Sequence, residues 1–134
     1  MSVVSLIRSD LLASTAPYAY ASTAPADARL VFLAGACPLD LAGDVTAQGD
    51  IAAQARLCIE NLETALAAAG ACLADVLSTR ILVATTERPD LVTAWNVVRD
   101  AFGDHDAPST LLGVTVLGYP NQLVEVEAIA AVRD

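Results

Sequence analysis

The sequence predicts an α+β fold in which two helices pack on one face of a mixed β-sheet. The prediction depends on the order of the elements and on the patterning of two amphipathic segments. Strand-like and helical segments follow one another in the order ββ–α–β–α–ββ. Neighbouring strands at each end, with two helices between them, are typical of a sheet covered by helices on one side. With 134 residues, the chain is predicted to form a single domain, residues 1–134.

The N-terminal third is predicted to contain two strands separated by irregular chain. The first strand covers residues 3–8, and residues 17–28, rich in Ala, Ser, Thr and Pro, form a loop or a short irregular strand. The second strand is the apolar run 30–34, which ends at Gly35. A loop over residues 38–49 leads to the first helix.

The first helix has the clearest pattern in the chain. Asp50 can cap its N-terminus, and Gly70 provides its end. Apolar residues recur every three or four positions and form one stripe, with polar residues on the other side. The stripe consists of Ile51, Ala55, Cys58, Ile59, Leu62, Ala65, Leu66 and Ala69, and the polar side of Gln54, Arg56, Glu60 and Glu63.

A strand over residues 76–84 and a second helix follow. The helix has Pro89 in its first turn and ends at Gly103. Alternation in the strand predicts two faces. One face holds Leu77, Thr79, Ile81 and Val83, and the other holds Ser78, Arg80 and Leu82; the apolar stripe of the helix is Leu91, Trp95, Val98 and Phe102.

Two final strands, residues 111–117 and 123–132, are joined by a turn at 118–121 and predict a hairpin. In the last strand, Val124, Val126, Ala128 and Ala130 share the face under the helices, and Leu123, Glu125, Glu127 and Ile129 share the opposite face. Two helices cover only one face of this sheet, so the other needs a partner. We therefore expect a homo-oligomer with sheet faces turned inward and Glu125 or Glu127 near the subunit boundary.

Composition excludes several classes of function. Hydrophobic residues make up 55% and charged residues 17%, which excludes intrinsic disorder. A net charge of −9 argues against general nucleic-acid binding. There is no lysine for a Schiff base or a phosphate-binding P-loop. His105 is the one histidine, predicted to lie in an exposed loop, so we expect no metal site.

The sequence also predicts a cytoplasmic location and no membrane partner. No apolar run reaches the length of about 18 residues that a spanning helix needs. Arg8 and Asp10 interrupt the segment in which the apolar part of an export signal would lie. The three cysteines include no CxxC pair and are interpreted as reduced thiols.

Short segments along the chain, in their order, resemble the reactive intermediate deaminase family, also called RidA or YjgF. They are GACP at 35–38, QAR at 54–56 with NL at 61–62, AAGA at 68–71 with DV at 75–76, WN at 95–96, AF at 101–102 and VEVEAIA at 124–130. The resemblance extends from about residue 17 to residue 132. Each segment is short, but the ordered set is specific.

The resemblance implies a chorismate-mutase-like fold and a homotrimer whose sheets form a central barrel, with small-molecule clefts between subunits. Members of the family hydrolyse enamines and imines such as 2-aminoacrylate to ketoacids and ammonia, without a cofactor. By position, Tyr18 would close the cleft, Gly35 would line it and Asn96 would contact the ligand near its rim. Glu125 would be the catalytic residue that positions or activates water.

The chain departs from the family at two substrate-binding positions. Deaminase members have an arginine in a Pro-x-Arg motif that binds the substrate carboxylate, and Thr110 occupies that position here. Leu112 replaces the family's cysteine two residues later. Arg80 either supplies the missing charge from another strand or pairs with Glu125 or Glu127 of a neighbouring subunit across the trimer. The chain thus resembles a subgroup that lacks the arginine.

Three functions remain open from the sequence. The first is cofactor-independent hydrolysis of an enamine, imine or related C–N electrophile other than a simple 2-imino acid. The second is a trimer that binds a small metabolite without catalysis, with Glu125 as an ordinary strand residue. The third is a ribonuclease or translation inhibitor, which the negative charge disfavours. Glu127 is interpreted as structural, Trp95 as a core residue and Cys37 as an inert thiol.

Overall fold

Two helices pack on a mixed sheet in the computed structural model of the protein, which describes residues 2–134. The predicted α+β class is confirmed. No helix within residues 2–134 has the length and apolar character required to cross a membrane. The elements are β1 (Ser5–Ile7), β2 (Ala21–Thr23), β3 (Arg29–Phe32), α1 (Ile51–Ala68), a 3₁₀ turn (Leu73–Asp75), β4 (Val76–Ala84), α2 (Arg88–Phe102), β5 (Ser109–Val114) and β6 (Val124–Val132).

The main sheet has the strand order β3-β6-β4-β5, in which β4 and β5 are parallel and the other pairs antiparallel. The predicted hairpin of the last two strands is therefore wrong, since β4 lies between β5 and β6. The predicted N-terminal pair is also wrong, because β1 pairs with β2 in a separate sheet and β3 pairs with β6. The parallel β4–β5 pair needs the α2 crossover, and strand periodicity carries no information about such long-range pairing.

Helix α1 begins and ends close to the predicted positions, but its buried face is rotated. The Asp50 side chain accepts a hydrogen bond from the Ala53 amide at 3.0 Å and caps the helix. Gln54, predicted on the polar side, is fully buried, and Ala65, predicted in the stripe, is exposed. A polar residue is tolerated in the core here because its amide group is fully hydrogen-bonded.

Gln54 ties α1 to the two turns that flank it in space. Its Nε2 donates to the carbonyl oxygens of Asn121, at 3.0 Å, and Ala47, at 3.4 Å. Its Oε1 accepts from the amide of Leu123 at 2.7 Å, at the entry to β6. Ala47 and Asn121 are the two non-glycine residues of the described chain with positive φ, at 53° and 66°. The glutamine thus holds two turns in backbone conformations that side chains disfavour.

A β-bulge in β4 decides which of its side chains face the helices. Val76 pairs with Ala130 and Ser78 with Ile129, so β4 has one extra residue at this point. Val76 is consequently fully buried, whereas Leu77, predicted on the core face, is only half-buried. Beyond the bulge the predicted alternation holds.

The sheet face away from the helices carries exposed apolar side chains. Phe32 on β3 is 72% exposed and Leu30 52%, and Ile129, the cross-strand partner of Phe32, is 36% exposed. Glu125 and Glu127 alternate with the buried residues of β6 and are half-buried, as predicted. We call this surface the open face.

Replacing Gln54 tests its role in the two turns. Gln54→Leu preserves volume but leaves the Leu123 amide and two carbonyl groups without their partner. We expect a loss of about 1–3 kcal/mol in the free energy of unfolding, measured by urea denaturation. Gln48→Leu, at an exposed position six residues earlier, is the matched control and should leave stability almost unchanged. Equal effects of the two changes would contradict this role.

Candidate functional site

The Glu125 carboxylate lies against the backbone of Gly35. A Cβ atom added to Gly35 would lie 2.5 Å from Oε2 of Glu125, so only glycine admits the carboxylate at this place. The other oxygen, Oε1, accepts hydrogen bonds from Sγ of Cys37 at 3.2 Å and from Nε2 of Gln122 at 3.3 Å. One carboxylate oxygen is thus held by two donors, and the second lies beside the glycine. We call these four residues the glutamate cluster.

The segment that carries Gly35 and Cys37 is fixed to β6 and α1. Ala36 pairs with Val126 through two backbone hydrogen bonds of 2.7 and 3.0 Å. Nδ2 of Asn61 on α1 donates to the carbonyl oxygens of Cys37, at 2.8 Å, and Leu39, at 3.0 Å. These contacts position the Gly35 backbone relative to Glu125 independently of the ligand.

Cys37 acts in this cluster as a protonated donor. Burial of the thiol, and then the nearby Glu125 carboxylate, raise the pKa of Cys37 to about 11. The thiol is therefore neutral at physiological pH and is not activated as a nucleophile. Gln122 is itself buried and held by the Tyr119 amide, which donates to its Oε1 at 3.1 Å.

A groove of about 440 Å³ lies between the start of β5 and α2. Tyr18 forms part of it, and its ring meets Trp95 edge-on at a centroid distance of 6.4 Å. The Ala19 amide donates to the Asp106 carbonyl at 2.8 Å, and Arg8 pairs with Asp106 while donating to the Tyr18 carbonyl at 2.9 Å. The groove, which we call the aromatic groove, is lined by Pro17, Tyr18, Trp95, Ser109, Thr110 and Leu111.

Trp95 has a different environment from the one predicted. Its ring packs against the core cluster, yet it is only half-buried and lines the aromatic groove. The apolar spacing of α2 predicts a core residue at this position. The Tyr18 loop, which is distant in sequence, packs edge-on against the indole, and both residues line the groove.

Strand register relates the groove to the glutamate cluster. Thr110 on β5 lies beside Arg80 on β4, which lies beside Glu127 on β6. In the next outward-facing row, Leu112 and Leu82 lie beside Glu125. The predicted site residues Thr110, Leu112 and Glu125 therefore share the open face, with Thr110 and Leu112 two strands away from Glu125.

The structure brings the predicted site residues together in two groups. Glu125 contacts Gly35, and Tyr18 lies with Thr110 in the aromatic groove. Asn96 lies on the exposed side of α2, and within residues 2–134 it lines neither group. The contacts of Cys37 and Gln122 with Glu125 were not predicted, since a strand pattern gives no signal for a side-chain hydrogen bond across 88 residues of chain.

His105 is not in an exposed loop, and the described residues offer no metal cluster. The half-buried imidazole Nε2 is 2.7 Å from the carbonyl oxygen of Val76, and the ring stacks on Phe102 at 6.5 Å. Within residues 2–134, no three His, Cys, Asp or Glu side chains are arranged to hold a metal ion. The imidazole therefore connects the end of α2 to the start of β4.

A sequence model described as endoribonuclease L-PSP matches residues 9–132. The chain belongs to this family, the RidA/YjgF family. The resemblance inferred from the short segments is thereby confirmed. The family's descriptive name includes an endoribonuclease, and its members carry names for other activities, so membership alone does not assign the reaction.

Related proteins and solved structures align with most of this chain. The 3-aminoacrylate deaminase RutC of Acinetobacter baylyi is 31% identical over 87% of this chain and 88% of its own. The structure of YyfB, a Rid family protein of unknown function from Yersinia pestis, covers 97% of this chain and 99% of its own, with 27% identity and a TM-score of 0.87. The structure of E. coli TdcF with bound serine covers 88% of this chain and 96% of its own, with 26% identity and a TM-score of 0.66.

Gly35→Ala tests the close approach of Glu125. The new methyl group would overlap the carboxylate, and we expect a loss of about 1–3 kcal/mol in the free energy of unfolding. The same change combined with Glu125→Ala should cost much less, because the overlapping group is gone.

Gly118→Ala is the matched control for this measurement, since a Cβ there meets nothing within 4 Å. Its unfolding curve should follow that of the unsubstituted protein. Additive effects of Gly35→Ala and Glu125→Ala in the double-mutant cycle would contradict the contact.

Proposed function

We propose that the protein is a cofactor-independent hydrolase of a small enamine or imine, in which Glu125 orients and deprotonates water. The observation that carries this proposal is the glutamate cluster. A half-buried carboxylate is held through one oxygen by Cys37 and Gln122, and its other oxygen lies at the backbone of Gly35. A carboxylate with a fixed geometry is suited to hold a water molecule beside an electrophilic carbon.

The proposed reaction needs only proton transfers and water. An enamine first takes a proton on carbon and becomes an imine. Water then attacks the C=N carbon; the new C–O bond forms as Glu125 accepts a proton from the water and the nitrogen is protonated. Glu125 then returns its proton to the nitrogen of this carbinolamine. The hydroxyl group loses its proton to solvent as the C=O bond forms and the C–N bond breaks, which releases ammonia.

Tyr18, Gly35, Thr110 and Leu112 are proposed to bind the ligand on the side of the sheet that carries Glu125. Thr110 has no charge, so it cannot form the bidentate contact that an arginine makes with a carboxylate. We therefore propose a substrate other than a simple 2-imino acid anchored at residue 110. The relative RutC is named for 3-aminoacrylate, in which the nitrogen-bearing carbon is not next to the carboxylate.

The open face supports assembly of the chain into a homotrimer. Leu30, Phe32 and Ile129 expose apolar surface on the side of the sheet that no helix covers. Burial of this surface against two further copies would remove it from water and bring each glutamate cluster close to a neighbouring subunit. We propose that residues 1–134 form one domain of such a trimer, with ligand clefts at the subunit boundaries.

Substitution on the open face tests the trimer. Phe32→Glu would place a charge in the proposed interface, and we expect analytical ultracentrifugation to show monomers in place of trimers. Val92→Glu is the matched control, because Val92 is an exposed apolar residue on α2 and its replacement should leave the trimer intact. An unsubstituted protein that sediments as a monomer at all concentrations would contradict the proposal.

Glu125→Gln tests the reaction. We expect hydrolysis of freshly generated 3-aminoacrylate, followed as ammonia release, to fall by about a hundredfold to ten-thousandfold. Glu127→Gln removes the neighbouring carboxylate of the same face and should retain most of the activity. Rapid turnover of 2-iminopropionate by the unsubstituted protein would contradict the proposed exclusion of simple 2-imino acids.

The same assay separates the alternative functions. Ligand binding without ammonia release, unchanged by Glu125→Gln, would favour a metabolite-binding trimer. RNA binding at physiological salt would favour the ribonuclease function, which a net charge of −9 opposes.

A further inference from the structure

Beside the aromatic groove lies a second hollow, of about 360 Å³, with a single charged side chain in its lining. That side chain is Arg80, on the open face of β4. Apart from Arg80, the lining is uncharged, and six of its members carry a hydroxyl group. The lining consists of Tyr18, Ala19, Tyr20, Ser78, Thr79, Arg80, Pro108, Ser109 and Thr110.

The guanidinium of Arg80 is available to a ligand. Its Nη1 donates to Oε2 of Glu127 at 3.2 Å, and its side chain is 56% exposed. Ion pairs this exposed are weak because water screens them and the side chains lose freedom. Within residues 2–134 the guanidinium makes no other hydrogen bond, so most of its five N–H groups face solvent or the hollow.

Hydroxyl groups without protein partners flank Arg80. Thr110 is its cross-strand neighbour on β5, and Ser78 lies two residues before it on the same face of β4. Neither hydroxyl forms a hydrogen bond to another residue within 2–134, and the same holds for the Tyr18 hydroxyl. A guanidinium flanked by such donors matches a carboxylate, whose two oxygens accept several hydrogen bonds.

We propose that Arg80 binds the carboxylate of the substrate. This inference rests on the proposed function, because it assigns the anionic end of the molecule that Glu125 would hydrolyse. Arg80 and Glu125 are diagonal neighbours on β4 and β6, with Cβ atoms about 7–8 Å apart by register. A small acid can span this distance, with its carboxylate at Arg80 and its nitrogen-bearing carbon towards Glu125.

The position of this anchor bears on substrate choice. Arg80 lies one strand, about 4.8 Å, from residue 110, so the carboxylate is held at a different distance from Glu125 than an anchor on β5 would impose. Arg80 is one strand from Glu125 and residue 110 is two strands from it, so the substrate would bind at a different position from the one that an anchor at residue 110 gives.

Binding of stable carboxylates tests Arg80 without requiring turnover. The probes are 3-hydroxypropanoate and lactate, with their methyl esters as neutral counterparts. Trp95 is the only tryptophan of the chain and lines the adjoining groove, so its fluorescence reports binding. We expect Arg80→Gln to weaken 3-hydroxypropanoate binding about tenfold to a hundredfold and to leave the weaker binding of the ester unchanged.

Two further variants separate ligand binding from a structural role of Arg80. Glu127→Gln removes the ion pair but keeps Arg80, so it should preserve or strengthen carboxylate binding. If Glu127→Gln weakens carboxylate binding as much as Arg80→Gln does, binding depends on the Arg80–Glu127 ion pair, and the proposal is overturned. Arg56→Gln changes the net charge equally on α1 and should bind the probes normally. Tighter binding of lactate than of 3-hydroxypropanoate would contradict the proposed exclusion of simple 2-imino acids.

Failure of the proposed function gives a different pattern. If no enamine is hydrolysed but carboxylate binding depends on Arg80, the hydrolase proposal fails and the anchor stands. If Glu125→Gln abolishes hydrolysis while Arg80→Gln leaves KM for 3-aminoacrylate unchanged, the anchor fails and the hydrolase stands. Inorganic phosphate is included as a probe, and binding tighter than that of 3-hydroxypropanoate would overturn the assignment to a carboxylate.

Discussion

The contact between the Glu125 carboxylate and the Gly35 backbone is the constraint on which the site depends. It requires that β6 and the segment after β3 approach within van der Waals distance, which the Ala36–Val126 pairing and the Asn61 amide enforce. Because one carboxylate oxygen is engaged by Cys37 and Gln122, the side chain has little freedom to turn away. The polar group at the centre of the site is therefore positioned by the fold before any ligand arrives.

The two faces of the sheet differ in what covers them and in the residues they carry. One face is closed by α1 and α2 and contains the core, including Leu62, Ile81 and Val126. The other combines exposed apolar residues with Arg80, Glu125 and Glu127. Leu30, Phe32 and Ile129 give this face exposed apolar surface that the proposed assembly would cover. The same face carries the few charges that the proposed chemistry uses.

Local patterns predicted the elements well and the pairing of strands poorly. Cap and spacing signals placed α1, α2 and the inward face of β6, since those signals act within a few residues. The predicted C-terminal hairpin was wrong because β4 lies between β5 and β6, and the predicted N-terminal pair was wrong because β3 pairs with the distant β6. The predicted burial of Gln54 and Leu77 was wrong for related reasons. A polar side chain such as that of Gln54 is buried when distant backbone groups form hydrogen bonds with it. The β-bulge shifts the alternation of β4 by one residue at Leu77.

The sequence by itself determined the α+β class, the family segments and the absence of a positive charge at residue 110. These are properties of local pattern and residue type. Only the tertiary structure decided that Cys37 and Gln122 hold Glu125, that Tyr18 packs against Trp95, and that Arg80 lies between Thr110 and Glu127. These contacts join residues far apart in the chain, and strand order and register, which no local pattern encodes, bring them together.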